Sequence, residues 1–329
     1  MRRLVPLIFI LTIALPAFVR AQVATNPVGF SSITVNANTI KALALPFNKP
    51  PDFGSAVSTV SSNTIQTTNA GWTVNAFGPF TGTPANAHVV RMTTGTAVGK
   101  QFRIASNTAD TLTLVNGSDL TGVAAGDQYQ IFAAETLQSL FGANGQNNGQ
   151  NVNTSGDPSV ADNVLLRSGS TWTTYYNDGT QWLKQGPGTP SNTVAIPPEQ
   201  GFVFVHRAGS AYTFTALGVV PITDLKTDFA PNTISSFGNR FPVDTTLAGL
   251  GLDQLAGWNK NTDPAVADNV LIRIGSSWST FYHDGTQWLK QGPGTPSNTQ
   301  AIPIGTSVVV VRRAGSPLTL NQTIPYSLN

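Results

Sequence analysis

The chain of 329 residues contains no cysteine. Neither a disulfide framework nor a thiolate metal site is open to it, so its stability has to come from packed cores. Charge is also scarce, with 18 Lys and Arg against 16 Asp and Glu, 10% of all residues. These charges are scattered, and no basic stripe exists that would neutralise a row of phosphates. Nucleic acid is therefore not an expected partner. Glutamate is nearly missing, with only Glu135 and Glu199 present. Long helices are not expected either, because Glu, Lys and Arg are the residues that favour exposed helical faces. Three histidines, His88, His206 and His283, complete a thin set of groups for proton transfer or metal binding. No nucleophile elbow, phosphate loop, dinucleotide fingerprint or zinc-helix motif occurs. No cofactor is implied.

What the chain has instead is 31 Gly and 22 Pro among many Thr, Ser and Asn, a composition suited to short strands joined by turns. It opens with Arg2 and Arg3, a run of apolar residues over 4–19, and Ala21 at a small-residue cleavage position. That pattern reads as a signal peptide over 1–21, with the mature protein beginning at Gln22. Its removal leaves 15 Lys and Arg against 16 Asp and Glu, so the basic balance of the full chain belongs to the leader. No later apolar run is long enough to span a bilayer as a helix, so no membrane span is expected after cleavage. The expected location is the periplasm, the outer surface or the extracellular space.

Residues 22–135 read as an N-terminal β-rich segment. In HVVRMT, QFRIAS, TLTLV and QYQIF apolar and polar residues alternate. The pairs Val90 and Met92, Phe102 and Ile104, Leu112 and Leu114, and Tyr129 and Ile131 each fall on one face of a half-buried antiparallel meander. A duplication follows. Residues 157–214 align without a gap to 263–320 at an offset of 106, with 40 identities in 58 positions. This places one β-unit over 136–222 and its copy over 223–329. The period is domain-sized, longer than a solenoid or propeller repeat. The expected fold is all-β, built of antiparallel sandwich-like or barrel-like units. Single helical turns are expected only near 135–142 and 245–257.

Within the repeat, DGTQWLKQGPGTPSNT stands unchanged at 178–193 and 284–299, while the surrounding positions agree at 24 of 42. Asp178-Gly179 signals a hairpin, because Gly accepts the positive φ of a tight turn. A two-residue loop would set Tyr175 opposite Trp182 and Tyr176 opposite Gln181, and a bulged loop would shift that register by one. The Gly and Pro of the stretch answer to backbone geometry. Gln181, Lys184 and Gln185 beside Trp182, with Gln287, Lys290 and Gln291 beside Trp288, do not, and these eight residues are the candidate ligand- or partner-binding set.

The mature chain resembles an uncharacterised family of exported bacterial β-rich proteins. The resemblance rests on the N-P-V-G-F start at Asn26 to Phe30, the V-A-A-G-D-x-Y-x-I segment ending at Ile131, and W-x-x-Y-Y-x-D-G-x-x-W at Trp172 to Trp182. It implies export and a β-rich fold, and carries no activity or ligand.

The search for catalysis finds little. His206 is replaced by Arg312 in the second copy, His283 stands where the first has Asn177, and Glu199 becomes Gly305. The preserved carboxylates are Asp162, Asp178, Asp268 and Asp284, and turn chemistry is the plainer reading of Asp before Asn or Gly. The chain is therefore expected to be a non-catalytic structural or adhesive component of the cell surface, envelope or matrix. The alternative is a carbohydrate-binding module stacking sugars on the repeated Trp and Tyr hairpins, and a glycan-directed hydrolase comes third. Surface polysaccharide or envelope proteins are the expected partners, and self-association is open to it.

Overall fold

The computed structural model describes residues 27–80, 86–169, 171–313 and 315–327. The signal peptide expected over 1–21 lies outside them. Among the described residues every strand pair is antiparallel, and the longest helix is the single short segment Leu137–Phe141. The all-β expectation is met. No described helix is long and apolar enough to cross a membrane.

Each copy of the repeat builds a sandwich. In the first, the sheet runs in the order Thr189–Pro190, Trp182–Lys184, Thr171–Asn177, Asn163–Ser168, Phe202–Val205, Ile40–Leu43. A ribbon of Val28–Val35 paired with Tyr212–Val219 covers it. Val35, Phe214, Val164, Trp182, Phe202 and Phe204 from both layers share one core. The second copy repeats this with the sheet Ile234–Gly238, Ser307–Val311, Asn269–Ile274, Ser277–His283, Trp288–Lys290. Its ribbon is Leu225–Phe229 with Leu318–Gln322, and its core is separate.

Strand pairing thus carries residues 28–43 into the first unit. The match to 225–238 holds at an offset of 194: Val35 pairs with Tyr212 as Phe229 pairs with Leu318, and Ile40 with Val205 as Ile234 with Val311. Asn38 and Asn232 both take the left-handed turn between the two strands, at φ 53° and 56°. Between Ile40–Leu43 and Glu135–Thr136 the first unit carries an inserted body, whose seven strands run in the order Phe53–Ala56, Gln128–Ala133, His88–Met92, Gln101–Asn107, Thr111–Leu114, Thr64–Gln66, Thr59–Ser61. Its two edge strands follow each other in the chain, so the sheet curls back toward closure. Val90, Met92, Phe102, Ile104, Leu112, Leu114, Tyr129 and Ile131 fill its core, the faces that alternation assigned.

The two sandwiches meet through equivalent residues. Gly201 aligns with Ser307 and Ala44 with Gly238, and a Cβ on either glycine would collide with its counterpart's side chain. Ser236 Oγ donates to the Gly201 carbonyl at 2.7 Å, and Ala44 N to the Gly305 carbonyl at 2.8 Å. Equivalent surfaces facing each other are the mark of a two-fold relation, realised here inside one chain.

Candidate functional site

The repeated stretch closes its hairpin with a four-residue loop rather than the two-residue loop anticipated from Asp-Gly. Asn177 lies opposite Trp182 and Tyr175 opposite Lys184, with His283 and Trp288, Phe281 and Lys290 in the same register. The cause is the aspartate. Asp178 Oδ1 accepts from Thr180 N at 2.8 Å, Thr180 Oγ1 at 2.7 Å and Gln181 N at 2.9 Å, and Asp284 does the same for Thr286 and Gln287. A carboxylate saturated by three local donors stabilises the wider turn. These bonds, the side chain of Thr180 foremost, hold the Asp178 carboxyl below its usual range; at Asp284 the N–H of Gln287 contributes most.

Trp182 and Trp288 are fully buried. Trp182 Nε1 donates to the Gly142 carbonyl at 2.8 Å, while Trp288 Nε1 donates to Asp253 Oδ1 at 3.2 Å. Asn192 Oδ1 and Asn298 Oδ1 of the same stretch accept the N–H of these tryptophans at 2.7 and 2.8 Å. Tyr175, Tyr176, Phe281 and Tyr282 are buried too, and half-buried Trp172 and Trp278 lie under the guanidinium groups of Arg167 and Arg273. Tyr175 and Trp182, with Phe281 and Trp288, belong to the two cores, whereas Trp172 and Trp278 keep part of their surface open. Gln181, Lys184 and Gln185, with Gln287, Lys290 and Gln291, remain at the surface or half-buried, and their side chains form no hydrogen bond or ion pair with a described residue.

The other shared carboxylates serve the fold. Asp162 and Asp268 are fully buried. Asp162 accepts the N–H of Asn153 at 2.8 Å and of Arg207 at 2.6 Å, and Asp268 those of Asn259 and Arg313 at 2.8 and 2.7 Å. Their remaining partners differ. His206 Nδ1 sits 2.8 Å from Asp162 Oδ2 with Nε2 against the Ser210 carbonyl, while Arg312 bonds Asp268 and the Ser316 carbonyl. One carboxylate thus ties a loop, a strand end and a basic side chain in each copy. Among the described residues no three His, Asp or Glu side chains are grouped to hold a metal ion.

A different place gathers charged groups into a concavity. Where the inserted body meets both sandwiches, cavities of about 510 and 400 Å³ share Arg103, Glu199, Thr227, Asp228, Phe229 and Ala230, and so form one groove. Arg103 donates through Nε and Nη2 to Glu199 Oε1 at 2.8 and 2.6 Å. Arg240 reaches Gln101 Oε1 and the Lys226 carbonyl, and Lys226 N donates to the Gly99 carbonyl at 3.0 Å. Burial pulls the Arg240 guanidinium down to about 10, against the opposing pull of Glu199. Burial, then the charge of Arg240, brings Arg91 to about 10 as well. Burial alone would raise the Glu199 carboxyl, but Arg103, its own backbone N–H and Arg240 together hold it below its usual range. Alternation and turn signals could not have found this groove, because its walls come from three distant segments. The one cue was Glu199 as one of two glutamates.

No protein-family model, no curated protein and no solved structure matches this chain.

Proposed function

We propose that the protein is an exported, non-catalytic structural or adhesive component of the cell surface, envelope or surrounding matrix. The two surface triads Gln181, Lys184, Gln185 and Gln287, Lys290, Gln291 are its contacts to envelope partners. One observation carries this reading. Most of the invariant 16-residue stretch has a visible task in the fold: Asp shapes the turn, Trp fills the core, Asn caps the tryptophan N–H, and Gly supplies left-handed backbone. The polar triads have no such task, and are nevertheless identical in both copies. Burial of Trp182, Trp288, Tyr175, Tyr176, Phe281 and Tyr282, and the cover of Arg167 and Arg273 over half-buried Trp172 and Trp278, speak against a stacking platform for sugars on these hairpins. The backbone bonds of Asp162, Asp178, Asp268 and Asp284 support turn-holding over acid–base work. Resemblance to exported β-rich proteins adds to the placement outside the cytoplasm.

The reading is tested by fractionating the cells that make the protein, sequencing its N-terminus and identifying what co-purifies. Recovery in the envelope or medium, beginning near Gln22 and accompanied by polysaccharide or envelope protein, supports it. A full-length cytosolic protein would overturn it.

A further inference from the structure

The first ribbon strand, Val28–Val35, has one edge without a partner. Val28 lies opposite Val219, which donates to the Asn48 carbonyl at 2.7 Å and accepts the Asn48 N–H at 3.2 Å on its far side. Thr213, opposite Thr34, likewise turns its N–H away, to Gln150 Oε1 at 3.1 Å. Val28 and Thr34 therefore sit in non-hydrogen-bonded pairs, and by alternation so do Phe30 and Ser32. The N–H and carbonyl groups of these four residues point away from Tyr212–Val219, along the open edge. Lys41 Nζ takes the Thr34 carbonyl at 2.8 Å, and no described residue bonds the backbone of Val28, Phe30 or Ser32 there. The side chains are open as well. Val28 is 68% exposed and Phe30 74%, and Leu217, directly across from Phe30, is 66% exposed. Edges of natural sheets are guarded by charge, proline or a bulge, and Val28–Val35 has none of the three.

The second sandwich shows how such an edge is closed. At the offset of 194, Lys226 stands where the first ribbon has Ser32. Its N–H donates to the Gly99 carbonyl of the inserted body at 3.0 Å, and its carbonyl accepts from Arg240 Nη1 at 3.1 Å. A Cβ on Gly99 would collide with the carbonyl of Asp224, the counterpart of Phe30. The inserted body thus seals the second ribbon. The second sandwich has no insertion of its own, with only residues 239–244 between Gly238 and Thr245. The two-fold relation therefore leaves the first ribbon without its cover.

We propose that a second copy of this chain supplies the cover, the two Val28–Val35 strands pairing edge to edge, antiparallel, about a two-fold axis at Phe30. That register sets Val28 against Ser32 of the partner subunit and Phe30 against Phe30 of the partner subunit. It uses every free backbone group of the three residues and leaves the Thr34 carbonyl to Lys41, whereas centring the axis on Ser31 would demand that carbonyl. Each facing pair exchanges two hydrogen bonds, and the joined ribbons form a four-stranded sheet with Leu217, Phe30 and their partner counterparts in one row across its outer face. The strand carries no charge, so no like-charge pair opposes its meeting itself, as an isologous contact requires. The proposal depends neither on the envelope location nor on the polar triads, and purified protein tests it separately from both.

The chain from Gln22 is followed by sedimentation equilibrium from about 1 µM to about 1 mM. So small a contact predicts a reversible dimer with Kd of about 10–100 µM. Phe30→Asp installs the residue of the second ribbon and opposes two carboxylates at the axis. Ser32→Pro removes an edge N–H while sparing every bond to Tyr212–Val219. Each should weaken the dimer by about tenfold or more, with a melting temperature close to that of the wild type. The absence of native cysteine lets oxidation read the register. Val28→Cys mixed with Ser32→Cys should give far more disulfide-linked dimer than either variant alone, because only the mixed pair faces across the axis. A wild type that stays monomeric throughout would overturn the proposal and leave the edge to a strand of a different protein. A dimer undiminished in Ser32→Pro, or equal cross-linking in mixed and single samples, would overturn the edge pairing.

Discussion

At the scale of single residues, the duplication acts as an internal control, because one position can be read in two settings. Asn177 and His283 are equivalent. Asn177 Oδ1 accepts the N–H of Gly179 at 2.9 Å, and His283 Nδ1 accepts that of Gly285 at 3.1 Å. An accepting Nδ1 carries no proton, so the hairpin of the second copy needs a neutral imidazole. Burial acts in the same direction, lowering the His283 pKa against the smaller pull of Asp253. The sign follows from linkage. With the native pKa below the unfolded one, the unfolded chain binds the extra proton. The stabilisation is complete above the unfolded pKa near 6.5 and is lost as pH falls through the native value. His283→Asn installs the residue of the first copy and removes that titration. Denaturant unfolding should show wild type losing stability between about pH 7 and pH 5, and the variant losing measurably less. Equal pH dependence in the two proteins would mean that His283 does not accept this bond. His206 and Arg312 teach the complementary lesson. Both satisfy a buried aspartate and the equivalent carbonyl four residues on, so their exchange, which looked like loss of a catalytic group, is a change of hydrogen-bonding side chain in one structural role.

At the scale of elements, the invariant loop keeps its backbone as well as its sequence. Gly186 and Gly292 have φ of 97° and 96°, and Gly188 and Gly294 both 64°. No atom would meet an added Cβ at these four positions, so strain in the left-handed region is the whole cost of a side chain there. Gly188→Ala and Gly294→Ala should each destabilise by about 1 kcal/mol, read from urea unfolding, whereas Gly156→Ala, open and without positive φ, should be neutral. Much at this scale was legible in the sequence. The alternating strands of the inserted body fell on the assigned faces, because a period of two reports burial directly. The short helical turns fell at Leu137–Phe141 and at Ala248–Leu250 with Leu252–Gln254, within the stretches expected. The hairpin register was missed because Asp-Gly also opens a wider loop when the aspartate can collect three donors. Pairing of Val28–Val35 with Tyr212–Val219 was beyond reach, since nothing in an edge strand's own alternation selects a partner some 180 residues away. The shared Asn-Thr-Ile at 38–40 and 232–234 was its only trace.

At the scale of the whole molecule, two sandwiches of one origin stand about a two-fold, and one of them carries an inserted body that docks on the other. The insertion starts and ends side by side, with Asp52 N bonded to the Ile131 carbonyl and Lys49 Nζ to the Ala134 carbonyl, so it enters without opening its host. Docking creates the groove, and the two-fold sets two identical loops on one molecule. Presenting one contact twice raises effective affinity for a repeated partner, as expected of an adhesive or structural component. The central claim is that the polar triads of those loops serve partners rather than the fold. Its most direct test replaces Gln181, Lys184, Gln185, Gln287, Lys290 and Gln291 together by alanine and measures retention of the protein in the envelope or matrix fraction. The account predicts a folded protein whose stability changes by no more than about 0.5 kcal/mol per site, and which is released from that fraction. Full retention of the folded six-alanine protein would contradict it.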